Sequence, residues 1–337
     1  MGQHTATTHL WRLRLRTSVV VFVSRVERLA MHVLLIGSGV VGSVYGSQLV
    51  AAGHRLSVLV RAKDADSSRR VLTVCDIEDG THQRVEFEPV SSVGFQEYDL
   101  VLVAVRADQL GSSFATLSQL SGEPHVVFFG NNPDGHAALR VPFPGTLELG
   151  FPGIGGVVRV ERDVVEYMKI SQQPTTLEAG QQSPGSTALE EALQHQGFAV
   201  IRTDHIDGWL KFHAVFVSAI AAALLRCNVD AALLASDRGT LTLMCRCIEE
   251  GFGALKDAGT PGLPKNLAVL HRPILRPFAV RYWSRTLRTP TGELCFAGHT
   301  RHARSEMIAL GTWVLNATTD SSVPHEHLTR LLALSAT

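Results

Sequence analysis

From residue 31 to about 203 the chain alternates short apolar runs with helical stretches, and from 204 onward it is helical throughout. Residues 32–36 (His-Val-Leu-Leu-Ile) form an apolar run of the kind a buried parallel strand needs. The run leads straight into Gly37-Ser38-Gly39-Val40-Val41-Gly42 and a helix through Leu49 to Ala52. Gly53-His54 closes that helix, and Leu56 to Val60 forms a second strand. Further strands are expected at 99–105, 125–129, 146–150, 157–160, 164–170, 175–178 and 198–202. A polar stretch from Gly180 to Ser186 precedes a helix near 187–196. In the second half, 209–225 (WLKFHAVFVSAIAAALL) reads as a strongly apolar helix. Residues 237–258 read as another, capped by Ser236 or Asp237 and stopped by Gly259 and Pro261. Five prolines between 261 and 290 keep the helices there short. A helix over 293–317 and a terminal helix through Leu331 follow, the latter after Ser321-Ser322-Val323-Pro324.

The first strand–turn–helix–strand unit carries G-x-G-x-x-G between strand and helix, where a dinucleotide-binding turn belongs. Gly37 permits the tight turn, Gly39 admits a pyrophosphate close to the backbone, and Gly42 lets the helix pack on the strand. Ser38, Val40 and Val41 complete the loop, and the helix N-terminus offers free N–H groups to phosphate. Where an NAD site carries Asp or Glu, the residue after Val60 is Arg61, with Lys63 following. Asp64 and Asp66 come late for the ribose. A guanidinium suits a 2′-phosphate, so the expected cofactor is NADP(H). The fold class is therefore α/β: a Rossmann-type NADP-binding domain over 31–203, then an all-helical domain over 204–337.

Two strand ends carry polar groups that should face the cleft: Arg106 after the strand at 99–105, and Asn131 after the strand at 125–129. Only five of the 31 basic residues are lysine (63, 169, 211, 256 and 265). Lys211, near the start of a fully apolar helix, is thus a candidate proton donor, since apolar surroundings draw a lysine toward neutrality. A lysine that snorkels to water is the plainer alternative.

Composition narrows the class. Of 337 residues, 45% are hydrophobic and 31 basic balance 31 acidic side chains, which argues against a nucleic-acid wrapper or an anionic-membrane binder. Five cysteines form no paired framework, and the expected location is cytoplasmic. No apolar run approaches the ~20 residues of a membrane span. Residues 1–30, with Arg12, Arg14 and Arg16 before Val19 to Val23, are read as a disordered extension or an over-called start. An organelle presequence is the alternative.

IGSGVVGSVYGSQLVAAGHRLSVLVR (36–61), VAVRADQ (103–109), FFGNNPDG (128–135), Trp209-x-Lys211 and Val323-Pro324 together resemble the ketopantoate reductase family (2-dehydropantoate 2-reductases) over nearly the whole chain after Met31. The resemblance implies a Rossmann domain joined to a helical domain, with the active site between them. It also implies NADPH-dependent reduction of the ketone of ketopantoate, on the pantothenate and coenzyme A pathway, and is compatible with a homodimer. By motif match, Lys211 would be the general acid and Asn131 would contact the nicotinamide and substrate region. Arg106 stands where the family usually has lysine. The family helix carries asparagines four and eight residues after its lysine; here these positions are Val215 and Ala219. With 211, 215, 218 and 219 on one helical face, the pocket wall is expected to be apolar, with Ser218 its polar remnant. Glu293 and Glu306 are both candidates for the family's substrate-binding glutamate, and Glu306 is included among the cleft residues.

His299, His302 and Glu306 share one side of the penultimate helix. A substrate contact from a histidine is one reading; a metal site fits no usual zinc pattern, so no metal is expected. His213 is expected to be a packed or surface histidine, Cys245 and Cys247 buried thiols, and Gly153 to Gly156 a turn. Two rival functions stay open: a reductase for another small carbonyl, and a non-catalytic NADPH-binding regulator.

Overall fold

The computed structural model describes residues 30–62, 71–94, 96–139, 145–180 and 183–333. The expectation for residues 1–30 lies outside these, except at Ala30, as do Lys63, Asp64 and Asp66. In chain order the first half comprises β1 (His32–Ile36), α1 (Val40–Ala51), β2 (Arg55–Leu59), β3 (Val71–Asp76), β4 (His82–Glu86), β5 (Glu88–Val90), β6 (Leu100–Val103), α2 (Leu110–Leu117), β7 (His125–Phe129), β8 (Thr146–Phe151), β9 (Ile154–Arg159), β10 (Val164–Lys169), β11 (Thr175–Glu178), α3 (Pro184–His195) and β12 (Val200–Thr203). The second half is helical: α4 (Ile206–Arg226), α5 (Ala231–Ser236), α6 (Arg238–Asp257), α7 (Lys265–Leu270), α8 (Arg276–Thr286), α9 (Gly298–His302), α10 (Arg304–Thr318) and α11 (Glu326–Ala333).

An eight-stranded sheet runs in the order β12-β11-β8-β7-β6-β1-β2-β5. Strands β5, β2, β1, β6, β7 and β8 are mutually parallel; β11 pairs antiparallel with β8, and β12 runs parallel to β11. Central β1 is covered on both faces, which is why Val33, Leu34 and Leu35 are all fully buried. Strand order reverses at β1, the switch point beyond which an α/β sheet binds its ligand.

A second, four-stranded sheet (β4-β3-β10-β9) packs beside α1. The residue pattern did not lead us to expect β3, β4 or β5. Strands β3 and β4 make an antiparallel hairpin whose turn contains Asp79-Gly80, with Gly80 at φ +72°. The segment expected as a turn at Gly153 to Gly156 is corrected: β9 begins at Ile154, and Gly155 and Gly156 are strand residues. Side chains there would strike Cys295 and the backbone of β10, so glycine is required for contact, not for turning.

Helix ends follow local chemistry. Asp237 caps α6 by accepting from Thr240 N at 2.9 Å, and Ser183 caps α3 ahead of Pro184 by accepting from Ser186 N at 3.0 Å. The helix expected over 293–317 is broken into a π-helical turn (Gly292–Ala297), α9 and α10. The break falls at Ala303, whose backbone leaves helical geometry at φ −121°, ψ 35°. The expectation about membrane spans also needs correction. The 21-residue α4 is long and apolar enough to cross a bilayer, but 83% of its most apolar window is buried inside the protein, packed on α6, α10 and α11.

Candidate active site

A cleft of about 570 Å³ lies between the carboxyl ends of β1, β6 and β7 on one side and α4 with the π-turn–α9–α10 segment on the other. Its floor is the glycine turn, where Gly37, Ser38, Gly39, Val40 and Val41 all line the cavity. Gly37 sits at φ +98°, and a Cβ there would come within 2.5 Å of the Ala104 carbonyl oxygen. A Cβ on Gly42 would meet the Gly37 carbonyl at 2.0 Å, whereas one on Gly39 would meet nothing within 4 Å. Two glycines thus serve the fold, and Gly39 leaves open space at the mouth of α1 that a pyrophosphate fits. Arg61 is exposed just beyond β2, at the edge where a ribose 2′-substituent would lie.

Three polar groups from both halves of the chain converge above this floor. Glu306, in the first turn of α10, is 2% exposed, and its Oε1 accepts from Ala107 N at 3.3 Å and from Asn131 Nδ2 at 3.4 Å. Arg106 reaches over the same edge, donating from Nη1 to the carbonyl of His302 at 3.3 Å. The Oδ1 of Asn131 is buried without a hydrogen-bond partner among the described protein groups. The three sequence candidates Arg106, Asn131 and Glu306 are therefore one cluster. Glu293 is exposed and pairs with Arg301 at 3.2 Å, away from the cavity lining.

Helix α4 departs from the expectation. Its cleft wall is His213, Phe216, Val217, Ile220 and Ala221, and neither Lys211 nor Ser218 lines the cavity. Two residues correspond to roughly 200° around a helix, so Lys211 lies nearly opposite His213. One turn on, Val215 packs against Gly251 of α6, within the helical core. Ser218 is buried there too and donates to the Val215 carbonyl at 3.2 Å. Lys211 and Ser218 mark one face of α4 and His213 another, so packing against α6 and α11 chose between them. His213, expected as packed or surface, is both buried and in the cleft wall. It lies between Phe151 and Trp209, shares a hydrogen bond with Gln173 Oε1 at 3.2 Å, and is held neutral by burial, its pKa lowered to about 3. As the one polar residue in an i, i+4, i+8 row with Val217 and Ala221, it was the signal available for this face.

His299 and His302 also line the cavity, turned toward it by the break before α10. His299 is partly buried in the cavity wall and retains some exposure. Burial, then His302 and Arg106, lower its pKa to about 4. Among the described residues no group of three or more His, Cys, Asp or Glu is arranged to hold a metal ion.

Residues 33–150 match the family model of ketopantoate reductase PanE/ApbA. That stretch holds the glycine turn and strands β1 to β8, so the similarity to the PanE/ApbA family lies in the part of the sheet that forms the cleft floor. Over 245 residues the chain is 26% identical to the uncharacterized oxidoreductase YkpB of Bacillus subtilis, covering 69% of this chain and 78% of that protein. The PanE/ApbA family ketopantoate reductase of Ralstonia eutropha JMP134 has a similar fold, with TM-score 0.70, 20% identity, and coverage of 90% of this chain and 97% of that one. D-mandelate dehydrogenase, solved with NADH and anilino(oxo)acetate, gives TM-score 0.66 at 16% identity, over 91% of this chain and 98% of that one. The helical half thus shares its architecture with these structures, which the chain matches over about nine-tenths of its length.

Proposed function

We propose that the protein is an NADP(H)-dependent reductase of 2-oxo acids, of 2-dehydropantoate 2-reductase type. The observation that carries this reading is the convergence of Arg106, Asn131 and Glu306 beside the open Gly39 turn. A bound nicotinamide supplies hydride to the carbonyl carbon. Gly37, Ser38, Gly39, Val40, Val41 and Gly42 would hold the dinucleotide, and Arg61 would favour a 2′-phosphate. The unpartnered Asn131 Oδ1 is an acceptor suited to a carboxamide. Arg106 offers a planar donor for the substrate carboxylate.

Substrate choice follows from the α4 wall. Phe216, Val217, Ile220 and Ala221 present no hydrogen-bonding side chain, and Phe151 and Phe296 extend the apolar surface. A site that bonds a hydroxyl discriminates sharply for it, and an apolar wall does not. This favours a 2-oxo acid with an apolar or aromatic side chain over ketopantoate, whose hydroxyl would meet carbon. The ligand bound to D-mandelate dehydrogenase is an oxo acid with an aromatic ring. A cytoplasmic location accords with five thiols that are all buried and unpaired.

The test is NADPH oxidation with purified protein against ketopantoate, pyruvate, 2-oxoisovalerate and phenylglyoxylate. Highest kcat/KM for an apolar 2-oxo acid supports the reading, and preference for ketopantoate restores the pantothenate pathway. NADPH binding without turnover of any of them would favour a regulator.

A further inference from the structure

The expected donor, Lys211, is not among the residues lining the cleft, so the proton of the reduction needs another source. The cavity wall contains two imidazoles besides the exposed His302. His213 is fully enclosed between Phe151 and Trp209, with its Nε2 engaged by Gln173. His299 lines the cleft, and its Nε2 lies 4.0 Å from Glu306 Oε2, an ion-pair contact rather than a hydrogen bond. The other oxygen of Glu306 is anchored by Ala107 N and Asn131 Nδ2, so this carboxylate is fixed from the opposite domain. Arg106 stands on the same rim.

We propose that His299, positioned by Glu306, is the proton donor of the reaction, and that Arg106 anchors the substrate carboxylate beside it. This rests on the 2-oxo acid reading above and deepens it. In the reduction, the carbonyl π bond gives way to a C–H bond from the hydride and an O–H bond from the His299 proton. The nicotinamide is oxidised, the 2-oxo acid becomes a 2-hydroxy acid, and neutral His299 is reprotonated from solvent. The run is reversible, with neutral His299 taking the hydroxyl proton in the oxidation direction. A catalytic imidazole backed by a carboxylate is a general arrangement for proton transfer, and its contacts tighten only when substrate is present.

The groups facing His299 set its protonation. Burial is the largest influence and disfavours the charged form, His302 on its own helix and Arg106 from the loop after β6 add to it, His213 from α4 is neutral, and Glu306 from α10 opposes them. A substrate carboxylate on Arg106 cancels part of the positive field. Binding should therefore raise the pKa of His299 and favour proton uptake into the site.

The variants are His299→Gln, Glu306→Gln and Glu306→Asp. Turnover of phenylglyoxylate is followed from pH 5 to 9. Oxamate binding to the NADP⁺ complex is followed by calorimetry in buffers of different ionisation enthalpy, so that proton uptake is read without turnover. Thermal melts confirm folding. We expect His299→Gln to lose ~10²–10⁴-fold in kcat with a small change in KM, and to lose both the alkaline fall of the reduction rate and the proton uptake. Glu306→Gln should move the alkaline limb to lower pH, and Glu306→Asp should restore part of it. Turnover that keeps its rate and alkaline limb in His299→Gln overturns the donor assignment alone. A wild type that turns over no 2-oxo acid and takes up no proton with oxamate overturns the donor and the 2-oxo acid reading together. If Glu306→Gln loses rate with an unshifted pH profile, Glu306 does not position the donor and that part is overturned.

Discussion

Asn131 of the sheet domain and Glu306 of the helical domain meet across the cleft, amide to carboxylate, at 3.4 Å. With Ala107 N on the same oxygen, one buried carboxylate holds the ends of β6 and β7 to α10. The contact joins the two domains where a cofactor and substrate would meet, so its members should affect both domain docking and turnover. Asn131→Ala is expected to lower kcat/KM by ~10²–10³-fold, the scale of one lost preorganised donor. Steady-state kinetics with circular dichroism as a folding control measures it.

The glycine turn separates fold from ligand. Gly42→Ala pushes a methyl to 2.0 Å from the Gly37 carbonyl and should destabilise by ~1–3 kcal/mol, visible as a Tm several degrees lower. Gly39→Ala meets no atom within 4 Å and should leave Tm nearly unchanged, yet NADPH binding followed by fluorescence should weaken because the space admits phosphate.

Arg61 tests cofactor choice. Arg61→Ala should raise KM for NADPH by ~10–100-fold, equivalent to one or two charge-assisted hydrogen bonds, and leave KM for NADH little changed. Equal effects on the two cofactors would remove the 2′-phosphate role.

Acid stability should reflect buried imidazoles. His271 is 4% exposed against Phe216, Phe252 and Trp283, and burial lowers its pKa to about 4 from 6.5. Because the folded value lies below the unfolded one, the unfolded chain binds the proton first. This stability is present above about pH 6.5 and is lost as pH falls toward 4, by up to about 3 kcal/mol. His213, lowered to about 3, acts in the same direction. His271→Phe should flatten denaturant stability between pH 7 and 4, and an unchanged slope would show that His271 is not its source.

Lys211 is the sharpest contrast with the sequence. Lys211 does not line the cleft, and Val215, one turn on, packs against Gly251 of α6, so Lys211→Ala should change kcat only a few-fold, whereas a general acid would lose ~10²–10⁴-fold.

The sequence by itself determined the strand–glycine–helix unit, the parallel strands that follow, the helical second half, and Arg106 and Asn131 at their strand ends. Those features are local: an apolar run, glycines at fixed spacing and a polar residue after a strand are written within a few residues of one another. Glu306 was legible only as one of two glutamates, because its partners lie at 107 and 131, far away in the chain. Tertiary structure alone decided which face of α4 lines the cleft, since Lys211 and Ser218 mark one face of an otherwise apolar helix, His213 marks another, and the pattern does not choose between them. It decided as well that the long helix after residue 292 breaks at Ala303 and brings His299 to the cavity. A helix period specifies what lies on one face, and only packing against other elements specifies what that face meets.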